Sequence, residues 1–159
     1  GQIDVAALQD VNYQGTLANV TFGFESGVSG VGSKTVTQTK DGETLTVVAT
    51  ENFGDSTQTT TYVDGSNSIS TYTGSQFTSQ LEFTISGKVF DFTSIKIYNA
   101  NADATFTFTP NDGAAFTTST ISSDQTVTID LSSAGFQGVS NITMTSSDSL
   151  GVVVDFDSV

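Results

Sequence analysis

Several side chains on which enzymes and metal proteins often depend are missing from this 159-residue chain, which has no cysteine, no histidine and no tryptophan. Without cysteine there is no disulfide, no thiolate zinc site and no cysteine nucleophile. Without histidine there is no Ser-His-Asp triad and no imidazole ligand for a metal. A chain of this length still buries about 70% of its unfolded surface, so a single domain can fold without crosslinks.

Positive charge is also scarce. Arginine is absent, and the cations are Lys34, Lys40, Lys88 and Lys96, against 17 acidic residues and a net charge of −13. Nucleic-acid binding requires clustered cations on the phosphates, so we expect no nucleic-acid partner. No apolar run approaches the roughly 20 residues of a membrane span, and we expect no membrane insertion.

The residues that are abundant favour β structure outside the cell. Threonine suits a half-exposed pleated surface, and 12 Phe with 36% hydrophobic residues are enough for a core. An acidic, Thr- and Ser-rich chain without cysteine predicts an extracellular or bacterial cell-surface location, because eukaryotic secreted domains usually carry disulfides.

Short segments in which apolar and polar residues alternate recur along the chain, most clearly in the TFTFT run at 105–109. One face of such a strand is core and the other is solvent. The same pattern predicts strands at 20–24, 35–39, 45–48, 81–85, 95–98, 127–131, 142–145 and 152–156, whereas the polar runs 57–63 and 68–73 are interpreted as edge strands or loop ribbons. The expected inward residues are Phe22, Phe24, Phe83, Phe106, Phe108 and Phe156.

Turn dipeptides separate these segments, namely Asp41-Gly42, Asp64-Gly65 and Asp112-Gly113. Many short strands with turns between them and no helical periodicity predict an all-β fold, an antiparallel β-sandwich of jelly-roll type. We predict a single domain over 18–159, with 1–17 as a linker or an added edge strand.

Catalysis without histidine would have to use a pair of carboxylates, as in glycosidases. Most of the acidic residues lie in turns or beside hydroxyl-rich runs. Glu82 lies mid-strand between Leu81 and Phe83, where alternation predicts that its side chain faces outward. We therefore expect that the chain is not an enzyme.

Calcium is the metal that the composition favours, since it takes carboxylate and carbonyl oxygens. Asp155 and Asp157 are two residues apart on one predicted strand and share a face. Two carboxylates so placed repel each other unless a cation lies between them. The alternative is a solvated strand end without metal.

Three groups of motifs resemble the frame of MAM-like and carbohydrate-binding-module-like jelly rolls found in large secreted bacterial adhesins. They are FGFESG at 22–27, FDFTSI at 90–95, and GFQGV at 135–139 followed by VDFDSV at 154–159. The resemblance implies that the first and last strands lie side by side with a structural Ca²⁺ between them. It implies Glu25 and Asp157 as ligands, Asp155 as a neighbour or third ligand, and Asp41 as a further candidate.

Ligand recognition would use amphipathic aromatic rings, on which sugars stack. Tyr62, Tyr72 and Tyr98 are available, and the first two flank the polar segment 64–67. Tyr62, Asp64, Asn67 and Tyr72 are therefore the predicted ligand-binding residues, the alternative being that the tyrosines only line the rim of the sandwich.

These observations lead us to expect a non-catalytic, calcium-stabilised module of a bacterial adhesin or surface protein that binds a glycan or another cell-surface ligand, beside neighbouring domains of its parent chain. A structural spacer domain and an accessory carbohydrate-binding module of a secreted polysaccharide-degrading enzyme are the two alternatives.

Overall fold

The computed structural model describes residues 20–30, 33–49, 58–63, 66–70, 72–73, 76–77, 80–99, 102–133, 135–147 and 153–155, with backbone pairing alone between 58 and 77 and at 153–155. This part of the chain is all-β. Its strands are β1 (Val28–Ser29), β2 (Thr35–Lys40), β3 (Glu43–Ala49), β4 (Gln58–Val63), β5 (Ser66–Ser70), β6 (Tyr72–Thr73), β7 (Gln76–Phe77), β8 (Gln80–Ile85), β9 (Ser94–Asn99), β10 (Phe106–Pro110), β11 (Phe116–Thr117), β12 (Gln125–Asp130), β13 (Ile142–Ser146) and β14 (Val153–Asp155). Across the ranges described, no helix is long and apolar enough to span a membrane.

The strands form two main sheets, and every described pair is antiparallel. One sheet has seven strands in the order β1-β2-β3-β8-β13-β10-β11, the other has five in the order β12-β9-β14-β5-β4, and β6 and β7 form a separate pair. Alternating side chains from both main sheets meet in one apolar cluster. The predicted antiparallel β-sandwich is therefore confirmed.

The connections between the sheets are nested. β5 pairs with β14, β8 with β13 and β9 with β12. The chain passes from one main sheet to the other after β3, after β5 by way of β6 and β7, and after β8, β9, β11, β12 and β13. Nested pairs of this kind arise when a long antiparallel hairpin is wound into two layers. The jelly-roll type stays a prediction, which this strand order supports.

Aromatic side chains dominate the core. Five of the predicted inward phenylalanines are buried, while Phe156 lies outside the described residues; the five are Phe22, Phe24, Phe83, Phe106 and Phe108. The ring of Phe92 also lies in the core, with its centroid 5.8 Å from that of Phe83 and 6.3 Å from that of Phe108. Phe92 is held by its backbone, since its N–H donates to the Phe136 carbonyl at 2.9 Å.

The segment 20–24 is not a strand, contrary to the prediction. Gln38 on β2, only 2% exposed, accepts a hydrogen bond from the Phe24 N–H at 3.0 Å and donates one to the Ser26 carbonyl at 2.8 Å. Phe24 takes a left-handed conformation with φ of 57°. The chain bends around the Gln38 amide, and Phe22 and Phe24 both enter the core without strand geometry.

Two further predictions concern chain segments on the five-stranded sheet. The segment 57–63 was expected at an edge, and β4 is indeed an edge strand. The expectation for 68–73 is wrong, because β5 lies inside the sheet between β14 and β4, and Tyr72–Thr73 forms a separate strand. Backbone pairing on both sides stabilises β5 despite its polar sequence, SNSIS.

Candidate functional site

Three of the four predicted calcium ligands lie among the described residues, each on or beside a different strand. Glu25 is exposed in the bend that precedes β1. Asp41 is exposed in the two-residue turn between β2 and β3, where φ values of 52° at Asp41 and 82° at Gly42 indicate a type I′ turn. Asp155 lies on β14, and Asp157 lies outside the described residues. The predicted turn at Asp41-Gly42 is confirmed, and its geometry accounts for the aspartate without a metal.

The first and last described strands are not neighbours, so this expectation is wrong for them. β1 pairs with β2 in the seven-stranded sheet, whereas β14 lies between β9 and β5 in the other. The bend around Gln38 places Glu25 at the edge of the first sheet, and the register sets Lys96 opposite Asp155. Among the described residues no three carboxylates gather into a metal-binding group. Asp157, which the resemblance implies as a ligand, lies outside these residues, so the full ligand set stays a prediction.

The four predicted ligand-binding residues fall around β4, β5 and β6. Tyr62 lies on β4, Asn67 on β5 and Tyr72 on β6, while Asp64 is outside the described residues. The polar turn is shorter than predicted, because β5 already begins at Ser66. Tyr62 and Asn67 therefore lie on neighbouring strands of one sheet, and Tyr72 belongs to the two-stranded sheet.

An aromatic ring whose surroundings are described lies on the outer face of β9. Along this strand Ile95, Ile97 and Asn99 are buried, so the alternate residues Lys96 and Tyr98 face outward. In the register with β12, Lys96 stands opposite Thr128 and Tyr98 opposite Thr126, and both threonines are exposed. We call Lys96, Tyr98, Asp124, Thr126 and Thr128 the Tyr98 patch.

The Tyr98 ring is oriented by Asp124, which immediately precedes β12. The phenol donates a hydrogen bond to Asp124 Oδ1 at 3.0 Å. Asp124 has a φ of 62°, and its N–H donates to the Asn99 carbonyl at 2.7 Å. A side chain held by its hydroxyl presents its ring with a smaller loss of rotamer entropy on binding than a free side chain.

Asn99 supports the patch from inside the protein. This amide is 1% exposed, and its Nδ2 donates to the carbonyls of Ala102 at 2.9 Å and Ile121 at 3.0 Å. Asp103 adds a second link, since its Oδ1 accepts the Ser123 N–H at 2.9 Å. The loops on either side of β10 and β11 are thereby tied to the end of β9, and this fixes the turn that carries Asp124.

The patch combines an aromatic ring, an ammonium, a carboxylate and two hydroxyls. The ring supplies an apolar face with a polar tip. The other groups supply hydrogen-bond donors and acceptors on both sides of it. A small array of this kind can hold a polar ligand that has apolar C–H faces, a description that fits a sugar ring.

Sequence reasoning identified Tyr98 as an available aromatic but did not place it in a site. Alternation on β9 put Lys96 and Tyr98 on one face and so gave half of the patch. The Tyr98–Asp124 bond and the Asn99–Ile121 bond join residues more than 20 positions apart, for which the sequence carries no local signal.

The outer face of the seven-stranded sheet is different in character. Its threonines lie in cross-strand rows such as Thr37, Thr46 and Thr84. Neighbouring hydroxyls bond to each other, with oxygens 2.9 Å apart between Thr39 and Thr44 and 2.8 Å apart between Thr107 and Thr117. These hydroxyls already form hydrogen bonds to each other within the fold. The face is therefore better described as a hydrated surface than as a preorganised binding site.

Glu82 lies in the middle of that face, and the prediction that it points outward is confirmed by the burial pattern of β8. Its cross-strand neighbours are Val48 and Thr143. Neither carries a carboxylate, so no second acid stands directly opposite Glu82 on the strands beside it.

Comparisons of the sequence with protein-family models and with curated proteins, and of the fold with solved structures, found no match.

Proposed function

We propose that this domain is a non-catalytic binding module of a bacterial adhesin or surface protein, and that it recognises carbohydrate through the Tyr98 patch. The observation that carries the proposal is the hydrogen bond of Tyr98 to Asp124, which holds an outward ring among polar side chains. The sugar would stack on the ring and hydrogen-bond to Lys96, Asp124 and the threonines of β12.

The position of the patch supports binding rather than catalysis. It lies on the outer face of a sheet, where water has access. Charge that develops in a transition state is stabilised less there than in a closed active site. A flat or gently curved sheet face is well suited to an extended polysaccharide, which can slide along the strands. The residues Tyr62, Asp64, Asn67 and Tyr72 are a second possible location for the same function, since Tyr62 and Asn67 lie on the same sheet.

Calcium stabilisation and a location outside the cell complete the proposal. The net charge of −13 repels itself in a compact domain, and a divalent cation bound to the folded state would reduce that repulsion. This part of the proposal is supported by the acidic composition and not by an assembled ligand set. The partners would be a glycan or other cell-surface ligand and the neighbouring domains of the parent chain.

A spacer function is the second candidate, favoured by the threonine rows of the seven-stranded sheet. Hydroxyls that form hydrogen bonds to each other need no ligand. A hydrated surface of this kind suits a domain that holds its neighbouring domains apart. An accessory module of a polysaccharide-degrading enzyme would bind sugar in the same way and would differ in its parent chain and its preferred polysaccharide.

The test is a glycan array probed with the labelled domain in calcium and in EDTA, beside the Tyr98→Ala variant. We expect a set of related glycans to bind the parent domain and to lose signal in the variant. Hits confined to structural polysaccharides of plants or algae would favour the accessory module. A blank array, from a domain shown to be folded, would favour the spacer and contradict the proposal.

A further inference from the structure

The edges of the two main sheets are protected to different degrees. In the seven-stranded sheet the edge strands β1 and β11 have only two residues each. In the five-stranded sheet β4 is an edge interrupted by a shift of register between Thr60 and Val63. Short edge strands and irregular ones are devices that prevent pairing with another chain. The remaining edge, β12, has six residues in unbroken register with β9.

β12 also lacks the residues that usually block an edge, since its sequence QTVTID contains no lysine and no proline. The N–H of Leu131 donates to the Thr93 carbonyl at 2.8 Å, in line with the β12–β9 register. Because bonding direction alternates along a strand, the N–H and C=O groups of Thr126, Thr128 and Asp130 point away from β9. Within the described part of the chain no strand pairs with that side of β12.

The residues that carry these outward backbone groups are exposed to solvent, as are Asp124 and Gln125 at the start of the strand. Val127 is half-buried and borders the core, while Ile129 is buried. A strand added to this edge would therefore meet apolar surface at the positions beside Val127, and hydroxyl and carboxylate groups at the alternate positions. That pattern calls for an alternating sequence in the partner.

The charge around the edge defines the partner further. Asp124 and Asp130 stand at its two ends, and Asp103 is tied to the turn beside Asp124. Of the four lysines, three lie on or next to the strands of the seven-stranded sheet, and Lys96 lies one strand in from the edge. An incoming segment with lysine or arginine at the alternate positions would place its cations beside these carboxylates.

We propose that β12 is a docking edge for an extended, cationic polypeptide segment, which adds to the five-stranded sheet as an antiparallel or parallel sixth strand. Backbone hydrogen bonds to Thr126, Thr128 and Asp130 provide the attachment. Apolar residues of the segment cover Val127, and its cations pair with Asp124 and Asp130. A second copy of the chain fits less well, because β12 against β12 brings aspartates together without any lysine.

The probe is the peptide acetyl-Lys-Val-Lys-Val-Thr-Val-Lys-amide, with a version carrying Glu in place of Lys as the control for charge. Binding to the full chain is measured by isothermal titration and by hydrogen exchange of the backbone amides. We expect the cationic peptide to bind and to slow exchange at Thr126, Thr128 and Asp130. The Glu version should bind at least about tenfold more weakly, because the charges then repel.

Two variants of Thr128 distinguish the contribution of its backbone N–H to peptide binding from that of its side chain. Thr128→Pro removes an N–H that points away from β9, so the fold should tolerate it, with a shift in melting temperature under about 3 °C. Thr128→Pro should weaken binding of the peptide about tenfold or more, and Thr126→Pro should have the same effect. Thr128→Val retains the N–H and should stay within about threefold of the parent domain.

Three results would overturn the proposal. The first is no binding of the cationic peptide up to concentrations on the order of 1 mM. The second is equal affinity for the parent domain and for both folded proline variants, which would place the peptide elsewhere. The third is self-association of the chain in sedimentation experiments that Thr128→Pro abolishes, which would make the partner a second copy.

Discussion

Replacing Asn99 with alanine tests how the interior of the domain supports its outer surface. The change removes two well-formed hydrogen bonds, to the carbonyls of Ala102 at 2.9 Å and Ile121 at 3.0 Å, at a position that is 1% exposed. Each such bond contributes about 0.5–1.5 kcal/mol, and a buried carbonyl left without a donor costs more. We therefore expect a loss of about 2–3 kcal/mol, or a melting temperature lower by roughly 4–12 °C for a domain of this size.

The measurement is urea denaturation followed by tyrosine fluorescence, with a constant m-value as the check that the transition stays two-state. Gln125→Ala is the control, because this side chain is exposed at the start of β12 and should change stability by less than about 0.5 kcal/mol. Tyr98 should also lose its fixed environment in Asn99→Ala, seen as a shift of its ring resonances. An Asn99→Ala protein as stable as Gln125→Ala would refute the role given to the amide.

Three further outcomes are expected. Phe106→Ala should lower the free energy of unfolding by about 3–5 kcal/mol, because Phe106 is fully buried on β10. Thr107→Val should lower it by less than about 1 kcal/mol. Equal losses in thermal unfolding would mean that the inward and outward faces of β10 are assigned wrongly. The side-chain hydroxyl and then the backbone N–H of Ser132 hold the pKa of Asp130 below its ordinary value of 3.8, so the linked stability is present above that value and is lost as the pH falls through the lowered pKa. Ser132→Ala should raise this pKa in a carboxyl NMR titration, and an unchanged titration would exclude the hydroxyl as its cause. Millimolar calcium should raise the melting temperature by several degrees over EDTA, since about 2.7 kcal/mol is gained at a hundredfold excess over Kd; identical curves from metal-free protein would remove calcium from the proposal.

Much of the fold could be predicted from the sequence where alternation was regular. One face is apolar in seven strands, namely β2, β3, β8, β9, β10, β12 and β13. In β10 the two phenylalanines showed which face points into the core. Local periodicity is sufficient there because strand geometry alone decides which side chains are buried.

The failures came from contacts between distant residues. Phe22 and Phe24 alternate like strand residues, yet the Gln38 amide, 14 residues later, holds their backbone in a bend. Phe92 and Phe136 enter the core from segments that lie outside the strands, and one backbone hydrogen bond joins them. β5 has too few apolar residues to be recognised as an interior strand, and its pairing with β14 is set by the topology.

The site shows the same division. Lys96 and Tyr98 share a face because they are two residues apart on a strand, and the sequence predicted that strand at 95–98. The turn that brings Asp124 to the Tyr98 phenol is formed by Asn99 and Asp103, which bond to residues about 20 positions away. Of the calcium ligands implied by family resemblance, Glu25 precedes β1 and Asp155 lies on β14, in different sheets, while Asp157 lies outside the described residues, so the full set stays a prediction.

The central claim is that a glycan binds on the outer face of β9 and β12. The most direct measurement is calorimetric titration of the strongest array glycan into four proteins: the parent domain, Tyr98→Ala, Tyr98→Phe and Glu82→Gln. Glu82 is the matched control because it lies on the outer face of the opposite sheet. We expect Tyr98→Ala to lose on the order of 1–3 kcal/mol of binding free energy, Tyr98→Phe to lose less because it retains the ring, and Glu82→Gln to bind like the parent domain. Unchanged affinity in a folded Tyr98→Ala protein, or a loss in Glu82→Gln alone, would contradict the claim.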